Sequence, residues 1–221
     1  MSVSAAKMAA GIGAVGGASG LGYLASHHFT SPEEEKKTSI SKLFEQEGRT
    51  LLVKGQDGTQ WNSRWKSYVD GGQNVWNLKD YESTKTNTTT ASETFVNACI
   101  SNSQIEVSGV EDPLYQQVVK NCSKEFKISE LVNKNSKFTV LSTDGNSDEG
   151  AWKSAWQSYL DDNTNGNPWG LSEGTWSNVK DNRNSLPDDF KSKCKSKADE
   201  TAFWEKDSKF LNFTRWCSKS K

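Results

Sequence analysis

WNSRWKSY, residues 61–68, returns 91 positions later as WKSAWQSY, residues 152–159. Trp61, Trp65, Tyr68 and Val69 stand at i, i+4, i+7 and i+8, one face of a helix, and Trp152, Trp156, Tyr159 and Leu160 repeat the spacing. Large aromatic residues at that spacing face a core. The match extends on both sides. ISKL (40–43), DG (57–58), VWNL (75–78), FVNAC (95–99) and CSK (122–124) reappear in order as ISEL (128–131), DG (144–145), PWGL (168–171), FKSKC (190–194) and CSK (217–219). The offset drifts from 88 at Ile40/Ile128 to 95 at Cys99/Cys194, as small loop insertions in the second copy require. Six words in register make an internal duplication, with homologous units at 40–126 and 128–221.

Local signals place further helices. DGTQ and DGNSDEG supply Asp, Thr and Ser as N-cap candidates, and GG at 71–72 and DDNTNG at 161–166 stop the Trp helices. Phe95 with Cys99, and Phe190 with Cys194, are i, i+4 pairs on a further helix in each unit. Asp112-Pro113 opens a last helix carrying Leu114, Val118 and Cys122. Its counterpart is expected to carry Phe203, Phe210, Phe213 and Cys217. TLLV (50–53) and FTVL (138–141) read as short strands or helix ends. The expected fold is mainly α: an N-terminal membrane helix, then two tandem small helical bundles, each tied by one disulfide.

The cysteines carry that last expectation. Cys99 and Cys122 are 23 apart, as are Cys194 and Cys217. A zinc site calls for close pairs such as C-x-x-C, and neither unit has one or a nearby His. A disulfide within each unit gives every unit one complete pair; free buried thiols are the alternative. Closing such a loop is worth about 3 kcal/mol, which matters in a chain that is only 33% hydrophobic with a mean hydropathy of −0.78. Nine Trp, nine Phe and five Tyr must build the core. The formal net charge is −1 and the four arginines are scattered, so no basic field recruits nucleic acid.

The N-terminus reads differently. GIGAVGGASGLGYLASHH (11–28) contains G-x-G-x-x-G at Gly11, Gly13 and Gly16, but no strand precedes it and no βαβ unit follows, so the nucleotide reading fails. Met8 to Ala25 is an uncharged run that would span about 27 Å as a helix. Its small residues recur four apart, at Gly13/Gly17 and Gly16/Gly20, which lets membrane helices approach closely. Residues 1–26 are therefore expected to be a membrane anchor, with a cleaved signal peptide as the second reading, and 27–39 a charged linker. Lys7 before the run and acid after it favour the C-terminal domain outside the cell, where disulfides form.

Catalytic signals are sparse. The only histidines are His27 and His28, and no Ser-His-Asp order, HExxH motif or marked carboxylate pair is present, so no catalytic residue, cofactor or metal is expected. Asp161, Asn163, Asn165 and Gly166 imitate a calcium loop, but Ser172 stands where position twelve needs Glu. Asp144, Asn146 and Asp148 have Glu149 where Gly is required. Both are read as polar turns, and the sequons at Asn87, Asn121 and Asn212 as chance. Trp76 and Trp169, in the loop-like VWNL and PWGL, are the candidates for ligand contact.

The opening MSVSAAKMAAGIGAVGGASGLGYLAS, the Lys/Asn/Ser/Thr-rich body, W-x-x-x-W-x-x-Y and the paired Cys ending in CSK resemble the large paralogous families of uncharacterised proteins from haemotrophic mycoplasmas. The resemblance implies a single-spanning protein of a blood-cell-attached bacterium that displays its domain to the host. A surface antigen or host-contact module, partnered by a host-cell or plasma protein, is the function expected. A structural envelope protein associating through the small-residue helix is the alternative, and a hydrolase comes third.

Overall fold

The computed structural model describes residues 37–221 except 145–146, 165, 173–175 and 179. The anchor expected at 8–25 lies outside the described residues, among which no helix is long and apolar enough to cross a membrane. The described chain is mainly helical and closed by two disulfides, Cys99–Cys122 and Cys194–Cys217. No described cysteine is free.

Both halves begin alike. Strand β1 (Thr38–Ser39) leads directly into helix α1 (Ile40–Glu47), whose N-cap Ser39 side chain accepts the Lys42 N–H. Gly48 ends α1 at φ 78°, a left-handed turn that a side chain would strain. The Trp helix α2 (Gly58–Asp70) follows, then the short α3 (Tyr81–Thr84), α4 (Glu93–Ser103), strand β2 (Glu106–Val107) and α5 (Pro113–Cys122). The second half runs β3 (Phe126–Lys127), α6 (Ile128–Lys134), β4 (Phe138–Val140), the Trp helix α7 (Glu149–Asp162), α8 (Asp188–Asp199), β5 (Thr201–Ala202), α9 (Ser208–Cys217) and β6 (Ser218–Ser220).

Three two-stranded antiparallel ladders staple these helices: β1 on β2, β3 on β5, and β4 on β6. Their registers place Thr38 opposite Val107 and Phe126 opposite Ala202. The strand pairs start earlier than composition suggests. Thr38 and Ser39, assigned to the linker by charge, pair within the first half; Phe126, at the end of the unit 40–126, pairs into the second. FTVL forms a strand, whereas TLLV contributes one bridge, Leu51 to Ser123. Phe203, expected on the last helix, lies in the bend before it, because Asp207 caps α9 five residues after the β5 ladder ends and accepts the Lys209 N–H.

Each half buries its own aromatic cluster. Trp65, Tyr68, Tyr81 and Phe95 meet in the first, and Trp156, Tyr159, Phe190 and Trp216 in the second, with ring centroids 5.1–6.1 Å apart. Edge-on and offset contacts of this kind add about 0.5–1.5 kcal/mol per pair beyond the area buried. They let a chain poor in aliphatic residues fill its core.

The polar contacts match as closely as the rings. The Trp61 indole donates to Val53 O and the Trp152 indole to Ser142 O. Leu52 N–H reaches Cys122 O at 2.9 Å, and Leu141 N–H reaches Cys217 O at the same distance. The Asp57 and Asp148 side chains make no cap bond to their own helices. Each turns back instead, Asp57 to the Val53 N–H and Asp148 to the Ser142 N–H, and meets the lysine of the CSK word, Lys124 or Lys219. The carboxylate thereby ties the start of the Trp helix to the segment that follows the second cysteine.

Candidate functional site

The two tryptophans singled out for contact are half-buried rather than free at the surface. Trp76 N–H donates to the Tyr68 hydroxyl at 2.9 Å, and that hydroxyl lies 3.2 Å from Asn74 Oδ1. The Trp76 ring stacks on Phe95 with centroids 5.7 Å apart, and its indole N–H is held by Gln117 at 2.8 Å. Trp169 repeats this: its N–H donates to the Tyr159 hydroxyl, and its ring stacks on Phe190 and meets Trp216 edge-on at 4.9 Å. Burial pushes both tyrosine phenols up, against the lowering effect of the bound tryptophan N–H. The loops are drawn inward because each ring completes an aromatic cluster, which the local word VWNL or PWGL does not reveal. A shallow hollow of about 300 Å³, lined by Asn77, Lys79, Thr94 and Asn97, opens beside Trp76.

The calcium-like turns are occupied by protein cations. Arg183 grips Asp161 with two bonds, at 2.5 and 2.9 Å, and Arg215 and the Trp216 indole hold Asp162. These contacts lower both carboxyls, the arginine bond being the main cause in each. Asp148 is lowered chiefly by Lys219 and then by the Ser142 N–H. No group of three His, Cys, Asp or Glu side chains able to hold a metal is found among the described residues. Of the sequons, Asn121 is buried and donates to Gln117 O.

The junction between the halves holds the arrangement that sequence reading missed. Glu125 stands at its centre. Its side chain accepts from Arg64 at 2.8 Å and from Thr201 at 2.8 Å, while Gln60 brackets its backbone, accepting the N–H at 2.8 Å and donating to the carbonyl at 2.9 Å. Burial raises the Glu125 carboxyl, but the Arg64 and Thr201 bonds outweigh it and the net shift is downward. Above this clamp the guanidinium of Arg64 lies 4.8 Å from the Phe203 ring centre, and that of Arg49 lies 4.1 Å from Trp204. Arginines of the first half thus sit on aromatic rings of the second. Cation–π contacts of this kind are worth about 0.5–1 kcal/mol or more when desolvated.

Beside these contacts opens a cleft of about 430 Å³. The first half supplies Glu47, Gly48 and Thr50; the second supplies Phe126, Leu131, Lys134, Phe203, Glu205 and Lys206. Lys134 lies over Phe126 at 4.6 Å and Lys206 over Trp204 at 5.0 Å. Among the described residues neither ammonium has a carboxylate partner. Glu47 is already engaged, by Arg49 at 2.9 Å and by the Tyr115 hydroxyl, whose pKa burial and this carboxylate together drive upward. What the cleft offers chemically, among the described residues, is two ammonium groups without a carboxylate partner and one carboxylate, Glu205, without a cation partner, over an apolar floor. The signal for it lies in how the halves differ: aligned on their ladders and on the caps Asp112 and Asp207, Thr38 corresponds to Phe126, Ser108 to Phe203 and Gly109 to Trp204.

No family model matches the chain, and no curated protein or solved structure shows significant similarity to it.

Proposed function

We propose that the chain is a surface-displayed, non-enzymatic contact module: a membrane-anchored protein whose two homologous helical units form an extracellular body that engages a host-cell or plasma protein. The observation that carries this reading is the pair of buried disulfides, one per half, in a chain with few aliphatic residues for its core. Such bonds form and persist in oxidising compartments. The agreement of the Trp-helix, tyrosine-clasp and CSK contacts between the halves supports common descent of the two units. The uncharged run at 8–25 supports the anchor, and the resemblance to the uncharacterised protein families of haemotrophic mycoplasmas supports the host-facing role.

Protease shaving of intact cells, followed by non-reducing peptide mapping, tests the reading. External cleavage together with linked Cys99–Cys122 and Cys194–Cys217 peptides is the expected result. A protected protein with free thiols would overturn it. For the envelope-scaffold alternative, replacing Gly13 and Gly17 by Leu is expected to reduce self-association; unchanged association would remove that alternative.

A further inference from the structure

We propose that the cleft between the halves is a binding site for an acidic peptide segment, read chiefly by Lys134 and Lys206. The proposal rests on the contact-module reading and names its site and ligand chemistry. Three observations carry it.

First, the residues of the cleft are not demanded by the fold of a half. The ladders and the matching caps Asp112 and Asp207 fix the correspondence residue by residue. At equivalent positions the first half has Thr38, Ser108 and Gly109, and the second has Phe126, Phe203 and Trp204. Gln46 becomes Lys134 and Glu111 becomes Lys206, while Val110 becomes Glu205. One copy of the fold is complete without the aromatic and basic set, so that set serves the junction.

Second, holding the halves together accounts for only part of it. Arg49 on Trp204, Arg64 on Phe203 and the bond from Thr201 to Glu125 join the halves. Lys134 and Lys206 lie on rings of their own half and span nothing. Both side chains are exposed, at the edge of an opening of about 430 Å³, and neither has a carboxylate partner among the described residues. A pocket of that size with an apolar floor and a few charged groups has the form of a ligand site.

Third, the ring faces decide between acidic ligands. A carboxylated sugar would stack on an open aromatic face. Here Trp204 already carries Arg49 and Lys206, Phe126 carries Lys124 and Lys134, and Phe203 carries Arg64. The ammonium groups and the Leu131 floor remain, which suit carboxylate side chains flanking an apolar residue.

The test titrates the oxidised full-length chain in detergent with fluorescein-labelled acetyl-Glu-Glu-Leu-Glu-Glu-amide and with its Gln-for-Glu counterpart, following anisotropy at low and at 0.5 M salt. The acidic peptide is expected to bind and the Gln peptide at least tenfold more weakly. Lys134→Gln and Lys206→Gln should each weaken binding roughly fivefold, and Glu205→Gln should strengthen it about twofold, because it removes an opposing charge and Glu47, the other carboxylate of the cleft, is already paired with Arg49. The three side chains are exposed, so the variants should keep the wild-type circular dichroism and melting temperature. Equal binding of both peptides, no binding at all, or lysine variants that bind like wild type would overturn the proposal. Binding of 3′-sialyllactose in a calorimetric titration, with no peptide binding, would also overturn it, in favour of a glycan. Peptide binding by a protein that protease shaving finds inside the cell would sustain the site and sink the surface reading, so the two fail separately.

Discussion

Removing one disulfide at a time is the sharpest probe of how this thin-cored chain stays folded. Both bonds join residues 23 apart, and all four cysteines are nearly inaccessible. A loop of that length is worth about 3.4 kcal/mol of denatured-state entropy, a value nearly blind to which half it lies in. Cys99→Ala with Cys122→Ala, and Cys194→Ala with Cys217→Ala, should therefore destabilise the protein by nearly equal amounts, about 3–5 kcal/mol once the small cavities left by the sulfurs are added. Against a total of about 5–15 kcal/mol this is a large fraction. For a body of this size each pair should lower the melting temperature by roughly 7–15 °C. Guanidinium unfolding followed by tryptophan fluorescence measures the free energies, and calorimetry the temperatures. A loss below about 1 kcal/mol for either pair would refute loop closure as the stabilising mechanism. Unequal losses would show instead that native packing around one bond dominates.

The junction clamp gives a second prediction: a double-mutant cycle of Arg64→Ala and Glu125→Ala should return about 1–2 kcal/mol of coupling, because both side chains are largely shielded and charge-assisted; a value near zero in unfolding experiments would mean the clamp is ornamental. Acid sensitivity follows from Asp57, Glu125, Asp148 and Asp162, all lowered in the folded state. For Asp57 burial pushes upward but the Lys124 and Val53 bonds prevail. A lowered folded pKa stabilises above the unfolded value near about 4 and ceases to do so as pH falls through the folded value. Stability should thus hold from neutral to about pH 5 and decline below about pH 4; denaturant midpoints that rise below pH 4 would contradict it. At the other end Tyr68, Tyr115 and Tyr159 are raised, burial being the largest cause for each. Their contribution is complete below about pH 10 and is lost as pH rises through the folded values. Absorbance at 295 nm should show these three ionising only with alkaline unfolding, and reversible titration near pH 10 in the folded protein would disprove their buried placement.

What the sequence determined by itself is the periodic and the local. The i, i+4, i+7 aromatic spacing marked the two Trp helices, since a helix puts those positions on one face whatever surrounds it. Equal cysteine separation suggested one disulfide per half, and GG and DDNTNG stopped helices because those residues favour turns. Contacts between residues distant in the chain were decided by the tertiary structure. Asp57 and Asp148 have the composition of N-caps, yet their carboxylates turn backward because Lys124 and Lys219, brought close by the helix that ends at the second cysteine, supply opposite charge. Trp76 and Trp169 look like exposed loop residues until Phe95 and Phe190 present a ring face to stack on. The cleft is the extreme case: Glu47, Lys134 and Lys206 come from two helices and a turn far apart in the chain, and no window of sequence contains all of them. Propensity acts over a few residues and is legible in order along the chain, whereas charge pairing and ring stacking depend on distances that only the folded chain sets.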